Sequence, residues 1–291
     1  MTREIALLVN PTAGKGRGAR LCQPVADRLR RHGAQVDVVL GRDADEAFDQ
    51  ARNRVARGVD ALVAVGGDGL VNMALQVVAG TPTPLGIVPA GTGNDISRAL
   101  GVPIDDPVAA VDLLATVEPR QVDCGRAAGR WFGGVLYSGF DSMVNERANR
   151  MTWPRGRARY NVATAAELRS FKPIPFVLEL DGEPWETEAM LVDVGNGSSY
   201  GGGMRVCPDA VMDDGLFDVT VLGPMSTVEF VRCFPLVYSG RHVDHPAVTV
   251  RRARSVSLAA PGVTAYADGE RVARLPVTCE VVPRALHVLA P

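Results

Sequence analysis

Apolar residues along the chain change period once, near Val122, and the change separates two kinds of structure. Before it, short apolar runs alternate with stretches of helical periodicity. Ile5 to Val9 reads as a strand, followed by a glycine-rich loop, Asn10 to Gly18, and a helix from about Ala19 to His32 closed by Gly33. A strand at Gln35 to Leu40 and a helix at Ala44 to Arg57 follow. The pattern is sharpest in the next unit, where Ala61 to Val65 runs into Gly66-Gly67-Asp68-Gly69 and a helical stripe from Leu70 to Val78 stops at Gly80. Leu85 to Val88, the loop Pro89 to Gly93 and a helix from Asn94 to Leu100 repeat that unit, and a helix at Pro107 to Thr116 closes the region. Strand, glycine turn and helix in succession predict a doubly wound parallel sheet over residues 1–121, with its glycine loops side by side at the carboxyl edge.

Beyond Val122 the period is mostly two. Strands are predicted at Trp131 to Tyr137, Phe176 to Leu180, Ala189 to Val194, Leu216 to Leu222, Ala247 to Arg251, Ser255 to Leu258, Thr264 to Ala267 and Val277 to Val282. Helical patterns interrupt them only around Tyr160 to Phe171 and Met225 to Tyr238. Residues 122–276 therefore read as an antiparallel β-sandwich. Without repeats or a low-complexity linker, the two domains are expected to share a cleft.

The loops carry the candidate chemistry. Glycines allow close approach of the backbone to phosphate, and a helix starting there adds free N–H groups and partial positive charge. Asp68 does not belong in a plain anion cradle, since it would repel phosphate unless it held a cation or took a proton from a nucleophile. A four-residue GGDG is also compatible with a tight turn in which Asp68 caps the helix, but the second loop, Gly91-Thr92-Gly93-Asn94-Asp95, weighs towards a ligand site. The first loop is not a P-loop, because Gly16 follows Lys15 where Ser or Thr is required and Asn10 replaces the opening glycine. Gly14-x-Gly16-x-x-Ala19 with Asp43 downstream matches a dinucleotide fingerprint loosely, which keeps nicotinamide binding as a minor alternative.

Composition narrows the setting. The chain has 291 residues, 46% hydrophobic and 22% charged, with net charge −2, enough for two cores and without the basic excess of a nucleic-acid binder. No targeting segment or membrane-spanning run is visible, so a cytoplasmic protein is expected. Cys22, Cys124, Cys207, Cys233 and Cys279 are scattered singly and read as reduced and mostly buried. The four histidines show no ligand spacing and are assigned no role.

Two late turns complete the inventory. Asp213-Asp214-Gly215-Leu216 offers a carboxylate and turn carbonyls to a hard cation, or is a plain solvated turn. Asp268-Gly269-Glu270 is a hairpin turn that becomes a candidate for general-base chemistry if the sandwich faces the glycine loops.

Taken in order, NPTAGKG at 10–16, VGGDGLVN at 65–72, PAGTGND at 89–95, GNGSSYGGGM at 195–204, PDAVMDDGLFDV at 208–219 and DGE at 268–270 resemble the diacylglycerol kinase catalytic family of bacterial lipid kinases. The resemblance implies an N-terminal α/β nucleotide-binding domain like that of phosphofructokinases and NAD kinases, and a C-terminal antiparallel β-sandwich domain for lipid, with residues 277–291 a candidate to return to the first domain. It implies ATP at Asn10, Pro11, Thr12, Ala13 and Gly14, at Gly66, Gly67, Asp68, Gly69 and Asn72, and at Gly91, Thr92, Gly93 and Asn94. It further implies a structural Mg²⁺ held by Asp214 and the carbonyls of Val211 and Leu216. Glu270 is the favoured base, with Asp268 and Asp68 competing. The implied reaction gives phosphatidic acid from diacylglycerol, or acts on a related lipid alcohol such as a sphingoid lipid. An NAD kinase-like activity and a non-catalytic nucleotide-binding regulator are the alternatives. Leu40-Gly41-Arg42 departs from the threonines frequent in the family after the second strand. Expected partners are the lipid substrate at the inner face of the membrane and ATP, with a homodimer allowed for and no nucleic acid. Arg147, Arg150, Arg155, Arg157, Arg159, Arg169 and Lys172 are the candidate face towards anionic headgroups.

Overall fold

The structure, a computed structural model, describes residues 3–11, 13–154, 157–169 and 171–291. The N-terminal unit runs β1 (Glu4–Val9), α1 (Ala13–Arg31), β2 (Gln35–Val39), α2 (Ala44–Ala56), β3 (Ala61–Gly66), α3 (Asp68–Val78), β4 (Leu85–Pro89), α4 (Asp95–Ala99) and α5 (Pro107–Thr116). Its strands are parallel in the order β2-β1-β3-β4. Every residue of β3 and β4 is buried, as expected of parallel strands covered on both faces by helices. Helix α1 begins at Ala13 rather than near Ala19, so most of the predicted first loop is helix. The early start is fixed by packing: a Cβ on Gly18 would stand 2.0 Å from the Asn10 carbonyl oxygen, and Ala13 N–H already donates to that oxygen at 3.1 Å.

The chain continues through β5 (Arg120–Ala127), β6 (Arg130–Phe132), β7 (Val135–Gly139), α6 (Phe140–Arg150), α7 (Arg157–Leu168), β8 (Ile174–Leu180), β9 (Glu183–Ala189), β10 (Leu191–Gly195) and β11 (Phe217–Leu222). Next come α8 (Thr227–Cys233), two 3₁₀ turns (Phe234–Ser239 and Arg241–Asp244), β12 (Val248–Ala253), β13 (Ser255–Ala259), β14 (Thr264–Ala267), β15 (Glu270–Arg274) and β16 (Val277–Val288). One antiparallel sheet has the order β12-β11-β10-β7-β14-β15. It packs on β5, β8, β13 and β16 through Phe132, Phe176, Phe217, Leu178, Val256 and Leu258, with the Phe132 and Phe217 rings stacked 5.7 Å apart.

Three departures from the sequence reading matter for the site. The single strand expected over Trp131 to Tyr137 is split into β6 and β7 by Gly133-Gly134. Helix α6 was not predicted, because its buried apolar positions, Phe140, Val144 and Ala148, form a stripe one residue wide among polar neighbours. The strand expected to end at Val282 continues to Val288 past a bulge at Arg284, whose φ is +54°. That extension pairs antiparallel with β5 and, at Val288, parallel with Leu85 of β4. The parallel sheet and one layer of the sandwich are thus a single sheet.

Asp123, on β5, is buried and accepts hydrogen bonds from Gly215 N at 2.7 Å and Arg284 N at 2.8 Å. It joins the 213–216 turn to the bulge of β16. Asp123→Ala is expected to lower stability by about 2–4 kcal/mol, since two charge-assisted bonds are lost and two N–H groups are left without an acceptor. Urea unfolding followed by circular dichroism measures this; an unchanged midpoint would contradict it.

Candidate active site

Strands β3 and β4 lie in register, with Gly66 opposite Pro89, so their loops emerge together. The contact between them excludes side chains: a Cβ on Gly91 would stand 2.5 Å from Gly67 Cα. Asp68, at the first turn of α3, reaches across and accepts hydrogen bonds from Asn94 N at 2.8 Å and Asp95 N at 2.7 Å. Asn94 takes the left-handed conformation, φ +56°, and its side-chain oxygen accepts from Gly91 N at 3.0 Å. Asp95 in turn accepts from Gly202 N and Gly203 N, each at 2.7 Å, and so fixes the glycine run 201–203 against α4. This is the structural use of the late GGGM motif.

From the opposite side the β14–β15 turn brings Asp268. Its carboxylate accepts from Gly133 N at 2.8 Å, Gly134 N at 2.9 Å and the Asn72 amide at 3.4 Å. The break between β6 and β7 exists to aim those two N–H groups. Burial pushes the Asp268 carboxyl up to about 6, against the pull of the three donors. Burial also raises Asp68, with a smaller contribution from the charge of Asp95. Glu270 is different: it is exposed, makes no hydrogen bond or ion pair among the described residues, and its Oε1 lies 3.9 Å from the position of a Cβ on Gly69. Its carboxylate stands free over the first turn of α3.

The remaining candidates fall as follows. Asn10 N donates to Val65 O at 3.3 Å, which sets Asn10 beside the GGDG loop; Pro11 is exposed, and Ala13 and Gly14 open α1. Thr12 lies outside the described residues. Thr92 and Gly93 face the cleft together with Asp68. Asn72, taken above as a nucleotide contact, is buried with its amide turned to Asp268. Asp43 caps α2 by accepting from Glu46 N at 2.9 Å, which removes the acidic residue needed by the dinucleotide fingerprint.

Val211, Asp214 and Leu216 share one turn, but Asp214 Oδ1 accepts from Leu216 N at 3.0 Å and Oδ2 meets the Arg252 guanidinium, which also holds Asp218. With a guanidinium at its carboxylate, this set does not fit a bound cation. Among the described residues no cluster of three or more His, Cys, Asp or Glu could hold a metal ion. In the arginine-rich segment, Arg147 pairs with Glu167, Arg150 with Glu146 at 3.2 Å, and Arg159 donates to Met151 O at 3.4 Å. Arg155 lies outside the described residues, while Arg169 and Lys172 are exposed.

A cavity of about 470 Å³ opens from the loops into the second unit. Asp68, Gly93 and Asp268 line one end, and Phe140, Leu222 and Phe230 line the other. His242, assigned no role above, is in its wall, as are Asp141 and Asp193. None of these was visible as a motif, since each stands alone in sequence and only the fold brings them to one cavity wall.

Residues 4–127 match the diacylglycerol kinase catalytic domain, and residues 134–290 the YegS C-terminal NAD kinase beta sandwich-like domain. A relative named diacylglycerol kinase from Mycobacterium tuberculosis (strain ATCC 25618 / H37Rv) is 43% identical over 294 residues, covering 99% of this chain and 95% of the relative. Another of that name, from Bacillus subtilis (strain 168), is 27% identical over 290 residues, covering 98% and 95%. Among solved structures, a diacylglycerol kinase from Bacillus anthracis str. Sterne superposes with TM-score 0.75 at 21% identity, covering 99% of this chain and 97% of that one. A second structure from that organism reaches 0.81 at 23% identity with the same coverage. The fold and its paired glycine loops are those of a two-domain kinase. The chain belongs to the diacylglycerol kinase family.

Gly93→Ala tests how tightly the loops are built, because its Cβ would stand 2.4 Å from Asp68 Oδ2. Displacing that carboxylate by about an ångström is expected to cost roughly 10²-fold in turnover. Kinase assay beside thermal melting checks this; full activity would show that the Asp68 bridge is not required.

Proposed function

We propose that the protein transfers the γ-phosphate of ATP, as its magnesium complex, to the hydroxyl of a lipid alcohol: diacylglycerol to give phosphatidic acid, or a related lipid such as a sphingoid one. The observation that carries this reading is the cavity itself, which is polar at the glycine loops and apolar in its interior. Such a shape admits a hydroxyl at one end and hydrocarbon at the other. The phosphates would rest on the loops after β1, β3 and β4, where main-chain N–H groups and the start of α3 offset negative charge. Magnesium bound with the nucleotide would supply charge neutralisation at the transferring group; the protein contributes positioning through the loops and proton acceptance at Glu270.

Glu270 is the base in this scheme. Asp68 and Asp268 spend their oxygens on main-chain donors, whereas Glu270 is exposed over the first turn of α3, one residue beyond Gly269 of the cavity lining, and its carboxylate is left for an incoming hydroxyl. No helix among the described residues is long and apolar enough to cross a membrane. In this scheme the enzyme works at the bilayer surface on its cytoplasmic side, since each methylene withdrawn from lipid into water costs about 0.8 kcal/mol.

Glu270→Ala is expected to lower turnover by roughly 10²–10⁴ with little change in melting temperature, the usual contribution of a positioned base. A steady-state assay with labelled ATP and diacylglycerol in mixed micelles, with NAD as control acceptor, tests both points. Near-normal turnover in the variant would pass the role to Asp68 or Asp268, and phosphorylation of NAD without lipid product would overturn the lipid-kinase reading.

The pH profile follows from Asp268. Below about pH 6 its carboxyl takes a proton and loses its charge-assisted hold on Gly133 and Gly134, so kcat/KM is expected to fall as pH drops through that value. The sign for stability is opposite. Between that value and an ordinary aspartate near 4, the native state binds more protons than the unfolded one, so this group adds stability as pH falls. Activity lost below pH 6 without a lower melting temperature would agree; a flat profile from pH 5 to 8 would not.

A further inference from the structure

The apolar end of the cavity is walled in part by α8 and by the 3₁₀ turn Phe234–Ser239 that continues it. Phe230 and Cys233 are buried there, whereas Phe234 and Tyr238 both line the cavity and meet solvent. A residue that does both stands on the rim, so the apolar end reaches the surface at this turn. Going round the helix away from the cavity, at about 100° per residue, Phe234 is followed by Val231 and then by Val228. These two valines are 56% and 59% exposed. Only beyond them come charges: Arg232, which is exposed, and Glu229, which accepts from Ser226 N at 2.8 Å to cap the helix. The surface therefore passes from apolar wall to apolar rim to apolar outer face, and ends on a cation.

Apolar residues exposed singly are ordinary, but a stripe continuous with a cavity marks a site of interaction. Local structure does not call for valine here, since β-branched residues on a solvated helix face cost helix propensity and bury nothing. A protein seated on the stripe would lie across the rim and close the entrance. A bilayer in the same place delivers acyl chains to it. Charge is a poor alternative means of attachment: the chain carries net charge −2, and Arg147 and Arg150 are already paired with Glu167 and Glu146.

We infer that α8 and the 3₁₀ turn after it are the face by which the protein enters a lipid bilayer, with Val228, Val231, Phe234 and Tyr238 in the acyl-chain boundary and Arg232 at the level of the headgroups. The inference rests on the lipid-kinase reading and adds its partner surface and orientation. With this face down, a lipid alcohol moves hydroxyl first towards Asp68 and Gly93, and its chains trail back through the rim without crossing water. Attachment by apolar area rather than by charge is screened little by salt.

The test is sedimentation of the full chain with vesicles of phosphatidylcholine, alone or mixed with anionic phosphatidylglycerol, at low and high salt. The wild type is expected to bind both kinds, with affinity for the neutral vesicles changing by less than about threefold between salts. In Val228→Asp/Val231→Asp binding is expected to weaken at least about tenfold, because two apolar side chains are lost and two charges must enter the interface. Val228→Ser/Val231→Ser, free of new charge, is expected to weaken it at least about threefold, and Val228→Leu/Val231→Leu to preserve it. Neither valine lines the cavity, so melting temperature and turnover of a short-chain, water-dispersed diacylglycerol are expected to stay as in the wild type, while turnover of long-chain diacylglycerol in vesicles falls with binding. Wild-type protein left in the supernatant by neutral vesicles, or vesicle binding that survives both the aspartate and the serine pairs, would overturn the inference. Dissociation of a dimer by those substitutions with vesicle binding unchanged would assign the face to a second copy and overturn it equally. Sedimentation needs no turnover, so if no lipid is phosphorylated the kinase reading falls and the vesicles still decide the face.

Discussion

The site depends on one repeated interaction, a carboxylate at least partly buried that grips two main-chain N–H groups from a distant segment. Asp68 holds Asn94 and Asp95, Asp95 holds Gly202 and Gly203, and Asp268 holds Gly133 and Gly134. Hydrogen bonds with a charged partner are roughly twice as strong as neutral ones. They also fix direction, since each carboxylate has two oxygens and each pair of N–H groups has one orientation. Three short loops with little apolar surface of their own are thereby held at defined positions. Burial raises the proton affinity of Asp68 and Asp268, while the same N–H donors pull it down. A site built this way is rigid only where its carboxylates stay ionised.

That arrangement separates the acidic residues by duty. Those with the most conspicuous motifs, Asp68 in GGDG and Asp268 in DGE, are fastened to backbone, while Glu270, two residues from Asp268, is left exposed and unbonded. A hairpin turn suits this division, because adjacent turn residues point in different directions. Asp268 can take φ +50° and turn inward while Glu270 begins β15 facing out.

Much of this was legible in the sequence. The parallel strands were plain, because strands buried on both faces are uninterrupted apolar runs, as Ala61 to Val65 is. The family followed from the order of six motifs. Partners across the fold were not legible. Gly133-Gly134 read as part of a strand, since nothing local says that their N–H groups serve an aspartate 134 or 135 residues away. Asp141, Asp193 and His242 carry no spacing signal, because the register of β10 and the packing of the 3₁₀ turns bring them to one wall. Helix α6 was hidden by a stripe too narrow to show a period. Asp214 looked like a cation ligand until Arg252, on a strand 38 residues later, supplied the positive charge.

Strand β16 has a mechanical meaning beyond its pairing. Twelve residues long, it belongs at once to the parallel sheet through Val288 and to the sandwich through β13 and β5. Hinged opening of the two units would have to part the Val288–Leu85 pairing and the bond from Leu289 N to Leu85 O, 2.9 Å, beside it. The two units are therefore joined through one continuous strand. Helices α6, α7 and α8 lie outside the sheet ladders and meet them mainly through side chains, among them the aromatic line Phe140, Phe230, Phe234 and Tyr238, whose neighbouring ring centroids are 5.1–6.4 Å apart. Side-chain packing of this kind loosens without breaking a ladder.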